Sequence, residues 1–184
     1  MRKSVLAILA VAVLALTGAY AQQPKQQQPP KPAPPAVDET LAAWNEVGGK
    51  LIAMAQDFPE DKYDYKPTPE TRTFRAQLLH VAGSNYYFLE PVAGKKMGDA
   101  ENDPNPANYK TKAAVVAYLK KSFDDGAALI KQGGDAGLAK EIRAGRNMHR
   151  AQAWWTVATG HGAEHYGQLV IYYRLNKMVP PASR

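Results

Sequence analysis

The sequence predicts an all-α protein in which residues 37–184 form a four-helix bundle. Four segments repeat apolar residues at the spacing of amphipathic helices, and short stretches rich in Pro and Gly separate them. We find no alternating apolar pattern of the kind that predicts β-strands. Four long amphipathic helices in a segment of this length bury their apolar faces around a single core.

Composition restricts the chemistry that the protein can perform. Its 184 residues are enough for one domain, and a content of 45% hydrophobic and 22% charged residues is typical of globular proteins. The sequence contains no Cys, which excludes disulfides, iron–sulfur clusters and a Cys nucleophile. Any metal site must therefore use His, carboxylate or carbonyl ligands.

The net charge of +6 does not indicate a nucleic-acid partner. The first 36 residues contain four basic side chains and no acidic one, so residues 37–184 carry a net charge of only +2. A nearly neutral domain lacks the electrostatic footprint of a nucleic-acid-binding protein. We therefore expect no nucleic acid among its partners.

The first 21 residues have the organisation of a secretory signal peptide. A basic start at Arg2 and Lys3 precedes an apolar run over residues 5–16, and Ala19-Tyr20-Ala21 has the small-x-small form of a cleavage site. The apolar run is shorter than the ~20 residues of a membrane-spanning helix. We expect cleavage after Ala21, a periplasmic or secreted mature protein, and no stable membrane insertion.

Residues 22–36 predict a disordered linker. They contain six prolines and five glutamines, and proline removes backbone donors and favours extended conformations. The globular domain therefore begins at about residue 37.

Two helices are predicted in the first half of this domain. The first spans about residues 37–57 and ends before Phe58-Pro59. The second begins near Thr71 or Thr73, since either residue can cap it, and ends at about Glu90 because Pro91 follows. Residues 91–109 are rich in Gly, Pro, Asn and Asp and predict a loop.

Two further helices are predicted in the second half. Thr111 is a suitable N-cap for the third helix, and Gly133-Gly134 closes it. We expect one short helix within about residues 135–145. The fourth helix spans about residues 150–177 and ends before Val179-Pro180-Pro181.

Two of the four histidines lie four residues apart on the fourth predicted helix. His161 and His165 therefore share one face, which continues an apolar stripe containing Trp154, Leu169 and Tyr172. Charged imidazoles are costly on a buried stripe, so both rings must stay neutral or find partners. A divalent cation binds two neutral imidazoles at once, and we favour this interpretation over two hydrogen-bonded core histidines.

His80 is the candidate third ligand, because two ligands from one helix rarely complete a metal site. It lies on an uncharged stripe that flanks the apolar face of the second helix. The helical spacing does not place His80 at the centre of that face, so the pattern alone leaves its role open. His149 precedes His161 by a helical rise of about 18 Å, which is too far to share a metal ion, and we interpret it as a surface residue.

Other metal motifs do not fit the sequence. Gly162 occupies the position of the essential Glu in the zinc-protease motif HExxH, and no Glu stands three residues before any His, as a di-iron bundle requires. Three His ligands with one open position are typical of catalytic rather than structural zinc. We assign no catalytic residue, and the candidates for pocket lining are Gln77, Ser84, Tyr87 and Gln168.

These histidines belong to a pattern that resembles the DinB superfamily over about residues 38–181. Its most specific segment is His161-x-x-x-His165-Tyr166-Gly167-Gln168-Leu169, and the supporting segments are Thr73-Phe74, Leu78-Leu79-His80, Tyr173-Arg174-Leu175 and Val179-Pro180-Pro181. The resemblance implies an up-down-down-up four-helix bundle. It also implies a divalent metal held by His80, His161 and His165.

The resemblance specifies the function less closely than the fold. Zinc, nickel and iron all remain candidates for the metal, and many relatives look dimeric, which leaves a homodimer open. Some relatives resemble thiol-dependent transferases or isomerases, and others resemble hydrolases. We therefore expect an exported protein whose metal serves hydrolysis or group transfer on a small molecule, with a non-catalytic metal- or ligand-binding module as the alternative.

Overall fold

The computed structural model describes residues 31–184, and four long helices dominate it. Residues 1–30, with the predicted signal peptide and most of the predicted linker, lie outside the described residues, and residues 31–35 are exposed and have neither helix nor strand. The helices are α1 (Ala36–Asp57), α2 (Phe74–Val92), α3 (Lys112–Ala139) and α4 (Ala151–Leu175). Two strands, β1 (Glu141–Ala144) and β2 (Asn147–Arg150), connect α3 to α4. Among residues 31–184, none of the helices combines the length and the apolar composition that crossing a bilayer requires.

Contacts at one end of the bundle fix the direction of each helix. The Phe58 ring, which follows α1, stacks on Phe74 at the start of α2 with ring centres 3.9 Å apart. Lys112 at the start of α3 donates a hydrogen bond of 2.9 Å to the Phe58 carbonyl oxygen, and Tyr173 near the end of α4 packs on the same ring. α1 and α4 therefore run in one direction and α2 and α3 in the other. The up-down-down-up bundle is confirmed.

This topology makes the connection between α2 and α3 long. Both helices run in the same direction, so residues 93–111, which we call the crossover, must return along the bundle before α3 can begin. Each of α1 and α2 packs against both α3 and α4. α2 meets the crossover in addition, and residues 77–85 are all buried as a result.

The caps and the core follow the predicted pattern. Thr73 accepts a hydrogen bond from the Ala76 amide at the start of α2, and Thr111 accepts one from the Ala114 amide at the start of α3. Trp44 of α1 is fully buried, and its indole N–H donates to the Phe123 carbonyl oxygen at 2.9 Å. A buried Trp needs such a partner, so this bond fixes α1 against α3.

The segment between α3 and α4 differs from the prediction. The expected absence of strands was wrong, whereas the short helix expected within residues 135–145 is present over residues 135–139. α3 continues to Ala139 through a kink at Gly134, which has φ 58° and ψ −165°, and then β1 and β2 form an antiparallel hairpin. Its two-residue loop has Gly145 with φ 62° at the first position, which is typical of a type II′ turn.

The hairpin closes a second, smaller apolar cluster beside α2 and α4. Ile142 and Ala144 face inward from β1 and pack with Trp154 of α4. The Trp154 indole N–H donates to the Phe88 carbonyl oxygen at 2.8 Å, which joins α4 to α2. The hairpin therefore covers the α2–α4 contact near the end of α2 and the start of α4. The same pair of helices carries the histidines.

Two adjacent glycines of α1 test the packing of α1 on α3. A methyl group on Gly48 would lie 2.6 Å from Cδ1 of Phe123, whereas one on Gly49 would meet no atom within 4 Å. We expect Gly48→Ala to lower the free energy of unfolding by about 1–3 kcal/mol through overpacking. Gly49→Ala should raise it by up to about 1 kcal/mol through helix propensity. Urea titration of the two variants measures both effects, and equal stabilities would contradict the close α1–α3 contact.

Candidate metal centre

Three imidazole rings meet between α2 and α4. His80 comes from α2, His161 and His165 come from adjacent turns of α4, and one ring nitrogen of each lies within 4.8 Å of the others. The Nε2 atoms of His161 and His165 are 3.0 Å apart. The ring centre of His80 is 5.3 Å from that of His161 and 4.8 Å from that of His165. Among residues 31–184, the structure thus brings together all three His that the sequence analysis proposed as ligands.

Burial keeps these rings uncharged at neutral pH. His80 is 9% exposed and His165 is 6% exposed, while His161 is partly buried with its ring against Phe88. Loss of hydration lowers the pKa of His165 to about 4, with smaller contributions from His161 and His80. Burial is also the main reason why the pKa of His80 and that of His161 are lowered. All three rings therefore offer lone pairs, which is the form that binds a metal ion.

Asp103 of the crossover sets the orientation of His80. One carboxylate oxygen lies 2.8 Å from Nδ1 of His80, so Nδ1 carries the proton and donates it to Asp103. The lone pair then resides on Nε2. Metal-binding His commonly has such a carboxylate partner on its second nitrogen. The sequence analysis missed Asp103, because it lies in a segment of Gly, Pro, Asn and Asp residues whose composition predicts only a loop.

The crossover reaches His80 because α2 has a glycine at the point of contact. A methyl group on Gly83, one turn after His80, would lie 2.5 Å from the Glu101 carbonyl oxygen and 2.6 Å from that of Asn102. The adjacent Ser84 hydroxyl donates to the Asn102 side-chain oxygen at 2.5 Å. These contacts place the residue that follows, Asp103, beside the ring of His80.

Gln77 plays the corresponding part at His165. The Gln77 carboxamide nitrogen lies 2.6 Å from Nδ1 of His165, and it also donates to the side-chain oxygen of Gln168. Turning both carboxamides by 180° exchanges oxygen for nitrogen in the same places. The Gln77 oxygen then accepts from the Nδ1–H of His165 and from Gln168. This arrangement leaves Nε2 of His165 free to bind a metal.

The donor set fits a divalent cation. The Nε2 atoms of His161 and His165 face each other at 3.0 Å, and both have lone pairs when each ring carries its proton on Nδ1. A cation accepts the lone pairs of all three rings, and neutral imidazole suits zinc, nickel and iron alike. The site is therefore compatible with a metal ion of any of these kinds.

The family assignment agrees with this geometry. A family model described as the DinB superfamily matches residues 43–169, which include all three histidines. The chain belongs to the DinB superfamily. No curated protein matches the sequence significantly.

Solved structures of other proteins share the fold. A DinB-like protein from Bacillus cereus ATCC 10987 is 14% identical with a TM-score of 0.68, over 78% of this chain and 95% of that one. The DinB-like protein YjoA from Bacillus subtilis is 18% identical with a TM-score of 0.62, over 77% and 93%. YfiT from Bacillus subtilis is 13% identical with a TM-score of 0.62, over 83% and 95%. It is described as "a probable metal-dependent hydrolase with an unusual four-helix bundle topology".

The other residues considered in the sequence analysis take different places in this DinB fold. Gln168 contacts Gln77, and Ser84 is buried and binds the crossover. Tyr87 is partly buried and packs against Phe88. Gln77 and Gln168 lie on the wall of a surface groove, and the role of all four residues in lining a substrate site remains a prediction. His149 lies on β2 with its ring 5.2 Å from that of Trp154, outside the three-His cluster and partly buried rather than fully exposed.

Replacement of Asp103 tests its effect on the metal centre. We expect Asp103→Ala to weaken zinc binding by about 10–100-fold, because His80 loses the partner that holds its lone pair on Nε2. Asp103→Asn should have a smaller effect, since the amide oxygen still accepts from Nδ1–H. The measurement is competition with a zinc chelator. Asp99→Asn, at an exposed position on the same crossover, is the control, and equal affinities for all variants would contradict the proposed orientation.

The lowered pKa of His165 predicts how stability depends on pH. The unfolded chain binds a proton at His165 with a pKa near 6.5, whereas the folded protein does so only at about 4. Between these values the unfolded state takes up more protons, so the free energy of unfolding of the metal-free protein falls as pH falls from 6.5 towards 4. Urea titrations at several pH values measure it. His165→Gln should flatten the dependence and His149→Gln should preserve it; the reverse result would contradict the buried neutral ring.

Proposed function

We propose that this DinB protein binds one divalent cation through His80, His161 and His165 and uses it in hydrolysis or group transfer on a small molecule. The observation that carries the proposal is the convergence of three neutral imidazoles within 4.8 Å. Three His ligands leave a position for substrate or water, as in catalytic zinc sites. A cation held in this way supplies Lewis-acid polarisation and a lowered pKa for water.

The residues around the histidines support the proposal by holding the rings in the binding form. Asp103 fixes the proton on Nδ1 of His80, and Gln77 is placed to fix the proton on Nδ1 of His165. Phe88 packs against the third ring, His161, and helps to exclude water. Such outer contacts raise ligand basicity and fix ring orientation.

A groove beside the cluster suits a small substrate. Its volume is about 610 Å³, and Gln77 and Gln168 form part of its lining. None of the three histidines is on this lining, but Gln77 contacts His165, so the Gln77 side chain links the groove to the cluster. Volumes of this size are typical of small-molecule sites. The description of YfiT as a probable metal-dependent hydrolase favours hydrolysis as the first activity to test.

A non-catalytic metal- or ligand-binding module is the second candidate. Carboxamides cannot take up a proton at neutral pH, and Gln77 and Gln168 are the groove residues that adjoin the ligands. The carboxylate nearest to His80, that of Asp103, is already engaged by His80 and Arg72. The absence of a free general base among the described contacts of the three rings favours this second function.

We also propose that the protein acts outside the cytoplasm. The support is the signal-peptide pattern of residues 1–21 and the Pro- and Gln-rich stretch that follows. N-terminal sequencing of the protein recovered from the periplasm or medium tests it. A start at Gln22 is expected, and recovery of the intact chain only from the cytoplasm would contradict export.

Metal analysis of the purified mature protein tests the proposed cation. We expect about one divalent ion per chain, with His161→Ala weakening zinc binding by more than about 100-fold, because losing a ligand costs more than losing an outer partner. His149→Ala should bind zinc as the parent does. A metal-free protein that also fails to bind added zinc, nickel or iron would contradict the proposal.

A substrate screen separates the two candidate functions. Esters, amides and thiol conjugates are incubated with the loaded protein and with His161→Ala. Turnover that is lost together with the metal supports the enzyme. Turnover that survives loss of the metal contradicts it, and metal binding without turnover of any compound favours the binding module.

A further inference from the structure

The groove beside the metal centre has two connections to the ligands. Gln77 lines the groove and contacts His165. Arg72 also lines it and pairs with Asp103, which in turn contacts His80. The groove therefore adjoins both the α2 side and the α4 side of the cluster.

Only one nitrogen of the Arg72 guanidinium group contacts another side chain among the described residues. Its Nη2 lies 3.1 Å and 3.3 Å from the two carboxylate oxygens of Asp103, whereas Nη1 and Nε have no hydrogen-bond partner among residues 31–184. Arg75, three residues later, is different: its nitrogens bind Asp64 and the Tyr109 carbonyl oxygen, and it is buried. Arg75 is thus structural, while Arg72 retains donors for a ligand.

Two contacts restrain Arg72, whose side chain is 42% exposed. The Tyr172 hydroxyl of α4 donates to the Arg72 carbonyl oxygen at 2.6 Å. The contact with Asp103 restrains the side chain from the other direction. A restrained guanidinium presents its remaining N–H groups in a fixed fork, which matches the two oxygens of a carboxylate or phosphate.

A bound metal ion would make the groove favour an anion. The groove lining itself has one cation, Arg72, and one carboxylate, Glu70, and both are exposed. The charge of Asp103 is already shared between Arg72 and the Nδ1–H of His80. A divalent cation bound by neutral imidazoles would add positive charge beside the groove, so a negatively charged ligand is the electrostatic complement.

The remaining wall is suited to a carbon skeleton. Pro67, Ile171 and Tyr172 contribute apolar surface, and Ile171 is 52% exposed. A ligand with an apolar body would cover this surface while its anionic group meets Arg72.

We propose that the groove binds a small molecule with an apolar body and a terminal oxyanion, either a carboxylate or a phosphate monoester, and that Arg72 holds the oxyanion. This inference rests on the proposed function, because it names the substrate class of the same site. Arg72 then determines specificity, and the bond to be attacked lies on the part of the molecule next to the histidines.

Calorimetric titration with hexanoate, hexyl phosphate and hexanol tests the inference. The zinc-loaded mature protein should bind at least one of the two oxyanions more tightly than hexanol, and the better one identifies the preferred anion. Arg72→Gln should weaken oxyanion binding by about tenfold or more, since charge-assisted hydrogen bonds are lost. The oxyanion affinity of Arg72→Lys should lie between that of the parent and that of Arg72→Gln. Glu70→Gln, which removes the opposite charge from the same groove, should not weaken it.

The same titrations on metal-free protein separate Arg72 from the metal. An oxyanion that is held by the zinc ion alone would bind the zinc-loaded parent and zinc-loaded Arg72→Gln with equal affinity and would not bind the metal-free protein. This result overturns the inference. Binding of hexanol as tight as that of both oxyanions also overturns it. If the parent fails to bind zinc but Arg72-dependent oxyanion binding persists, the metal proposal fails and the groove assignment stands.

Discussion

The whole arrangement depends on keeping three imidazoles uncharged inside a helical bundle. A proton on any one of them would place a charge in a dehydrated contact between α2 and α4, beside two further rings. Loss of hydration keeps the rings neutral, although the Asp103 carboxylate by itself raises the pKa of His80, and hydrogen-bond partners orient two of the rings. Asp103 serves His80, and Gln77 serves His165. Membership of the DinB superfamily and the shared fold place this chain among proteins with the same framework.

Much of the framework could be predicted because its signals are local. The spacing of four residues between His161 and His165 fixes both on one face of α4, and Thr73 and Thr111 mark the starts of α2 and α3 by their capping side chains. His80 was harder. Helical spacing assigns it to the flank of an apolar face, but in the fold the crossover buries that flank as well. The spacing therefore left its role open, and the family resemblance supported it as a ligand.

The features that the sequence did not reveal depend on contacts between distant segments. Asp103 is one of several acidic residues in a polar loop, and nothing nearby in sequence distinguishes it from Asp99. The hairpin was missed because β1 has only two inward residues, Ile142 and Ala144, which is too few to establish an alternating pattern. Gly134 was expected to end α3, yet the helix resumes after one non-helical residue.

The parallel course of α2 and α3 has a consequence for how such a centre changes over evolutionary time. An up-down-up-down bundle joins its helices by tight turns at the ends, so no backbone would pass the middle of α2. Here the nineteen-residue crossover, 93–111, does pass it, and carries the carboxylate that orients His80. The crossover contributes little to the main apolar core. Substitutions there can therefore retune the affinity of the histidines while the scaffold that holds them is left intact.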